Sequence, residues 1–279
     1  MRKFVFNLRA TLRSTLWRCG RRIYLFARRD LPRSPRVNGE YWLISKVVTE
    51  IVQPQPFFFD IGCCRGDWTV NVLTNLKMNG LQGKIHAFEP SIESFEYISR
   101  RFKSEAAVFS HQLAMSNNTG ESDFFSLGTC VGINSMLPLP NAKLQRVKTK
   151  TVDDFLAEHN IPRVLFIKSD CEGVDLQIMR GAKNLLTEGR VDLWQFEYNH
   201  RWVDAGATLK DVFKFINGKP YKIGKLYSHG IELYSTWHPE LERFFEANYV
   251  LVRKDSRAER FCTSAAFGRA NAPKYVYSI

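Results

Sequence analysis

Residues 57–69 read FFFDIGCCRGDWT. Three phenylalanines form an apolar run that stops at Asp60, and glycines follow at positions 62 and 66. Glycine at those points lets a chain turn tightly off a strand and bring its backbone close to a ligand. The spacing is G-x-x-x-G, not the G-x-G-x-x-G of dinucleotide binders, and no Gly-Lys-Ser/Thr follows to make a phosphate loop. An acid ahead of the first glycine would repel a pyrophosphate. It suits a ligand carrying positive charge, such as an ammonium and a sulfonium. The competing reading is structural, since any strand–turn–helix connection can use glycine.

Strands and helices alternate outward from this loop. A helix fits 41–52, strand one 57–61, a helix 67–78, and strand two 84–89. Another helix fits 91–103, and strand three lies near 106–113. A short strand at 121–127 precedes a loop with Pro and Gly at 128–141. A helix starts at TVDDFLAEH, strand four is VLFIKSD, a helix covers 174–187, and strand five is VDLWQFE. Helix 208–216 precedes strand material at 220–227, and the final strand is NYVLVRK, paired with 231–235. This alternation predicts an α/β fold, a mostly parallel sheet with helices on both faces. In such sheets ligands bind at the carboxyl ends of the strands, so acids at those ends are the candidates.

Strand two ends HAFEPS, which sets Glu89 23 residues beyond Gly66. An acid so placed can accept both ribose hydroxyls of an adenosine. Together with D-x-G-x-x-x-G it points to S-adenosylmethionine. The cofactor-binding set is Asp60, Gly62, Gly66, Glu89 and Ala114. Strand four runs into Lys168, Asp170 and Glu172, and strand five into Glu197 and His200. Charges confined to the ends of two inner strands mark a functional edge. The plainer alternatives are a structural salt bridge for Lys168 and an idle loop ring for His200.

The basic charge is uneven. Residues 1–36 hold eleven Lys/Arg against one acid, Asp30, for +10; the rest carries 40 − 11 = 29 positive and 28 − 1 = 27 negative side chains, or +2. In this arm, Phe4, Phe6, Leu8, Leu12, Leu16 and Trp17 alternate with arginines, and Leu8, Leu12 and Leu16 recur at a helical interval. Pro32, Pro35 and Gly39 make 31–39 a linker. The expected organisation is an amphipathic basic arm, 1–36, and a single domain, 37–279. The arm has the composition of an interfacial helix for an anionic membrane surface. An Arg-rich mitochondrial import segment and a solvated arm are the alternatives.

The 279 residues, 44% hydrophobic and 24% charged, are ordinary for a soluble globular protein. They hold no internal repeat and no run of 18 apolar residues, so no segment spans a membrane as a helix. Six cysteines, Cys19, Cys63, Cys64, Cys130, Cys171 and Cys262, form no C-x-x-C pair. They read as reduced, small buried hydrophobes of a cytoplasmic protein.

At this point the chain resembles the FkbM family of S-adenosylmethionine-dependent methyltransferases. The resemblance covers about 57–253: FDIGCCRGDWT, HAFEPS, TVDDF, FIKSDCEGVDLQIMRGA, QFEY and NYVLVRK, in the family's order. KSDCEG is its most specific piece, with Ser169 where the family has an apolar residue. The resemblance implies a Rossmann-like, seven-stranded methyltransferase fold with an antiparallel last strand. For many members it implies O-methylation of sugar or glycan hydroxyls; a basic arm held on a membrane surface would put lipid-linked glycans within reach.

A sugar hydroxyl is a poor nucleophile, so a base or a metal must assist. Lys168, Asp170, Glu172, Glu197 and His200 are the catalytic candidates, and general-base help is worth roughly 10²- to 10⁴-fold. Alternatively Asp170 and Glu197 hold Mg²⁺, the ion that oxygen-only ligands favour. The loop 128–148 is expected to cover the acceptor. A nucleic-acid methyltransferase would use the basic arm, but SDCEG stands where amino-methylating enzymes have an Asn/Asp-Pro-Pro-aromatic motif. A non-catalytic module on the same fold would not need the full set of strand-end acids.

Overall fold

The computed structural model describes residues 2–30, 34–51, 54–242, 244, 246–269 and 271–276, with the side chains of 2–10 and 276 outside the description. Pro32 and the side chains of Phe4, Phe6 and Leu8 therefore lie outside it. Along the chain come α1 (Arg2–Ala27), α2 (Glu40–Glu50), β1 (Phe57–Ile61), α3 (Asp67–Met78), β2 (Lys84–Phe88), α4 (Ile92–Arg101) and β3 (Val108–His111). Next are β4 (Ala114–Met115), β5 (Gly120–Ser126), β6 (Lys143–Lys150), α5 (Val152–Glu158), β7 (Val164–Ser169), α6 (Asp175–Arg180) and α7 (Lys183–Thr187). The last third holds β8 (Val191–Tyr198), α8 (Arg201–Asp204), α9 (Leu209–Ile216), β9 (Tyr221–Tyr227), β10 (Gly230–Tyr234), β11 (Ala247–Arg253), β12 (Cys262–Phe267) and β13 (Pro273–Val276).

Among the described residues the main sheet has ten strands in the order β13-β12-β10-β9-β11-β8-β7-β1-β2-β3. Strands β3, β2, β1, β7 and β8 are parallel neighbours, and β11 enters antiparallel between β8 and β9. These are the expected seven, a Rossmann-like, mostly parallel sheet with a late antiparallel strand. Three further strands extend it. NYVLVRK is thus not the final strand, and it pairs with β8 and β9 rather than with 231–235. A tight turn between Tyr227 and Gly230 folds β10 back onto β9, and the local hairpin wins.

Successive strand residues go to opposite faces, which is why three phenylalanines in a row can all serve the sheet. Phe58, Phe166 and Leu193 pack under α2 and α3 with Leu43, Val47 and Val72. Phe59, Ile167 and Trp194 face the other way, onto Phe155, Ile178 and Leu185. Full burial of each such side chain contributes about 1.5–3 kcal/mol. The cores on the two faces hold the strand ends in register.

Two further expectations are corrected. The stretch 128–148 is not all loop, because β6 pairs with β4 and β5 in a separate three-stranded sheet. Its inward residues are Gln145, Val147 and Thr149, so alternation by hydrophobicity was faint. The helix expected over 174–187 breaks at Gly181. A Cβ there would sit 2.0 Å from the Ser116 carbonyl, and the Gly181 carbonyl accepts the Asp153 N–H. All six cysteines are unbonded; Cys63 and Cys130 are buried, and Cys19 is exposed.

Candidate active site

Strands β1, β2, β7 and β8 are mutually parallel and end at one edge of the sheet. There the connecting loops interlock. The N–H groups of Gly62 and Cys63 both donate to the Phe88 carbonyl, at 3.0 and 3.1 Å, and the Asp170 N–H donates to Ile61 at 3.1 Å. Gly62 has φ 74°, and a Cβ on it would lie 2.4 Å from the Asp170 carbonyl. Its small size therefore lets the β1 and β7 loops touch. Gly66, at φ 73°, caps α3 and would strike the Phe102 ring with any side chain.

Asp60 is fully buried. Its Oδ2 accepts the Thr69 hydroxyl at 2.7 Å and the Thr69 N–H at 3.2 Å, so it satisfies one of the free donors of the first turn of α3. Burial raises its pKa, opposed by Lys168 and by the Thr69 hydrogen bonds. The carboxylate stands behind the glycine loop and lines neither cavity described below.

Glu89 does line a cavity, shared with Gly62, Cys64, Ala114, Met115 and Cys130. Its two oxygens accept the N–H groups of Cys64 at 3.0 Å and Ser91 at 3.1 Å. Burial pushes its pKa up to about 7, with those hydrogen bonds opposing. Leu113, Phe124 and Met136 supply apolar wall. Gly62, Glu89 and Ala114 thus come together around one cavity, whereas Asp60 and Gly66 shape the loop from outside it.

A second cavity shares Gly62, Cys64 and Asp170 with the first and continues along Lys168, Glu197, Glu40 and Tyr41. Carboxylate oxygens of Asp170, Glu172 and Glu197 lie within 4.8 Å of one another, close enough to hold a metal ion. Lys168 Nζ lies 3.2 Å from Asp170. Burial opposes the lysine's charge, but Asp170, Asp60 and Glu40 outweigh it and raise its pKa. Asn199 Nδ2 donates to Glu172 at 3.0 Å and to Glu197 at 2.9 Å. Burial, then the Asp170 charge, lifts the Glu172 carboxyl to about 7. Burial, then Asp170 and Glu172, puts Glu197 well above the usual carboxylate range. Glu172 and Gly173 take left-handed conformations, φ 53° and 102°, that fold the β7 loop back towards β8.

His200 stands apart from this cluster. It is exposed at the start of α8 and lines neither cavity. Asn199 takes the inward place instead. Two residues beyond Glu197, it returns to the same side under the period of a strand, a signal present in QFEYN. Glu40 is the other residue that sequence reading missed. It arrives from α2, where Gln195 Nε2 donates to it at 3.0 Å, and no local pattern announces it. Ser169, the departure within KSDCEG, accepts the Trp194 indole N–H at 3.0 Å and donates to Asp175. An apolar residue there would leave two buried polar groups short of a partner.

Residues 60–223, more than half of the chain, match the family described as Methyltransferase FkbM domain. The chain is 20% identical over 182 residues to the hexuronic acid methyltransferase AglP of Haloferax volcanii, covering 65% of this chain and 69% of the relative. Among solved structures it is similar to methyltransferase FkbM from Methylobacillus flagellatus, at 15% identity and TM-score 0.48, over 75% of this chain. It spans 47% of that protein, about half its length. It is also similar to fibrillarin from Aeropyrum pernix, solved with natively bound S-adenosyl-L-methionine, at 12% identity and TM-score 0.38, over 76% of this chain and 74% of the other.

Proposed function

Because the chain belongs to the FkbM methyltransferase family, we propose that it moves a methyl group from S-adenosylmethionine to a hydroxyl of a sugar or glycan. One observation carries the reading: two cavities meet at Gly62, Cys64 and Asp170, one holding Glu89 and the other a cluster of carboxylates beside Lys168. Donor and acceptor would approach each other at that junction. The sugar class rests on the family and on the hexuronic acid named for the Haloferax relative.

The first cavity's residues suit the donor. Each Glu89 oxygen takes one backbone N–H and keeps lone-pair capacity, enough for the two hydroxyls of a ribose. Leu113, Met115 and Phe124 offer an apolar wall for a flat base. S-adenosylmethionine supplies, when bound, a methyl carbon made electrophilic by its sulfonium. Asp60 acts at one remove, by holding Thr69 and so the start of α3 beneath the glycine loop.

Asp170, Glu172 and Glu197, whose carboxylate oxygens converge on one point, take up the acceptor hydroxyl's proton. Lys168 offsets their charge and orients Asp170. Asn199 fixes the other two. A second reading is favoured by the same clustering: Asp170 and Glu197, with Glu172 as a third ligand, hold Mg²⁺, which would lower the hydroxyl's pKa as a Lewis acid.

Equilibrium binding of labelled S-adenosylmethionine, with a nicotinamide dinucleotide as control, tests the donor. Mass spectrometry of glycans and lipid-linked sugars with and without the gene tests the acceptor, through a gain of one CH₂. Failure to bind the donor would sink the proposal. Activity lost to a chelator and restored by Mg²⁺ selects the metal reading; activity indifferent to chelator selects the carboxylate base.

A further inference from the structure

We infer that helix α1 seats the protein in the headgroup region of an anionic phospholipid surface. Leu12, Leu16, Cys19, Ile23 and Phe26 follow one another at intervals of four, three, four and three residues, which keeps them on one face of the helix. Leu12, Leu16, Ile23 and Phe26 are 60, 61, 69 and 78% exposed. Arg13 and Arg22 flank this stripe on its two sides, and Arg21 is exposed on the far face. Arginine stems can lie along an apolar boundary while their guanidinium groups reach phosphate, so flanking positions are those a bilayer surface uses.

The helix is held to the body by a different face. The Tyr24 hydroxyl donates to Glu240 at 2.7 Å, and an Arg28 nitrogen donates to the Glu240 carbonyl at 2.8 Å. Lys225, buried in β9, donates to the Arg28 carbonyl at 2.6 Å and pairs with Asp30. Buried charges of this kind are costly unless paired, so the end of α1 is pinned while its apolar stripe faces outward.

Charge decides among the possible occupants. Residues 1–29 hold no acid, and seven Lys/Arg fall within α1. A second copy of the helix would bring like charges together with nothing to offset them. A nucleic acid would satisfy the arginines but leave the stripe of leucine, isoleucine and phenylalanine in water. An anionic bilayer surface satisfies both. No helix among the described residues is long and apolar enough to cross a membrane. The attachment is independent of the chemistry at the sheet edge.

Co-sedimentation of the full chain with phosphatidylcholine vesicles doped with phosphatidylglycerol tests it. The protein should pellet at low salt, be released at high salt, and bind pure phosphatidylcholine far less. Leu16→Ser with Ile23→Ser keeps every charge and should lower vesicle affinity at least about tenfold, with an unchanged unfolding midpoint. Full-length variants are needed because removing the arm would strip Lys225 of Asp30. Wild-type protein left in solution with anionic vesicles at low salt overturns the inference, as does undiminished binding of the double variant. Binding to polyuridine, or concentration-dependent dimers, in place of vesicle binding would reassign the helix and overturn it too.

Discussion

Asp60, the penultimate residue of β1, accepts the Thr69 hydroxyl on its Oδ2 at 2.7 Å, across the whole glycine loop. The contact ties the last strand residue before Ile61 and Gly62 to the first turn of α3. Asp60→Ala should therefore destabilise the fold by about 1.5–3 kcal/mol, the cost of losing hydrogen bonds to a charged group. Urea denaturation measures this, and an unchanged midpoint would show that the loop holds its shape without the carboxylate.

Glu89 faces the cavity, so its removal should be felt in binding. Glu89→Ala should weaken S-adenosylmethionine binding by about 1.5–3 kcal/mol, one to two decades, in a calorimetric titration. Equal affinity in wild type and variant would remove Glu89 from the donor site.

Glu172→Gln and Glu197→Gln keep shape but lose charge. Both variants should retain the fold and donor binding and lose turnover; wild-type rates in both would make the carboxylates structural. If the ionised Glu172 is needed, activity should rise with pH through about 7, where its carboxyl titrates. The Asn199 amide lowers the pKa of Glu172 and of Glu197 by hydrogen bonding to them. Asn199→Ala should accordingly move the acid limb of the pH–rate profile to higher pH. A limb that stays in place would sever Asn199 from the titrating group.

His86 and His111 lie beneath the sheet edge, with Nδ1 of one 2.9 Å from Nε2 of the other. Burial, then the neighbouring histidines, with smaller contributions from Lys84 and Lys150, lowers their pKa values to about 3 and about 4. The unfolded chain takes up these protons near pH 6.5, while the folded protein resists them. Stability contributed by the neutral pair is thus complete above pH 6.5 and is lost as pH falls towards 4. The loss can reach about 1.4 kcal/mol per pH unit for each ring. Urea midpoints at pH 7 and pH 5 should differ in wild type and differ less in His86→Gln. A midpoint that does not fall between those two pH values would mean that neither ring resists its proton.

Much of this was readable residue by residue. Hydrophobic period and turn chemistry are local, so FFFDIGCCRGDWT predicted β1, its glycine turn and the helix over 67–78, and the acids at the ends of β2, β7 and β8 could be named. β6 escaped because Gln145 and Thr149 face inward beside Val147, and a polar residue buried in a small sheet does not look buried in a sequence. β10 turned away from β11 because a short hairpin costs less chain entropy than the longer connection.

The alternation of elements, the glycine loop, the strand-end carboxylates and the uneven charge all follow from the identity and spacing of neighbours along the chain. The direction in which those groups face follows instead from how distant segments pack. Asp60 turns inward to Thr69 while Glu89 stays at the cavity wall. Asn199 points in where His200 points out. Glu40 comes from the element before β1 to meet Gln195. Side-chain direction and partnership are set by contacts between segments far apart in sequence, where packing and burial choose a single arrangement.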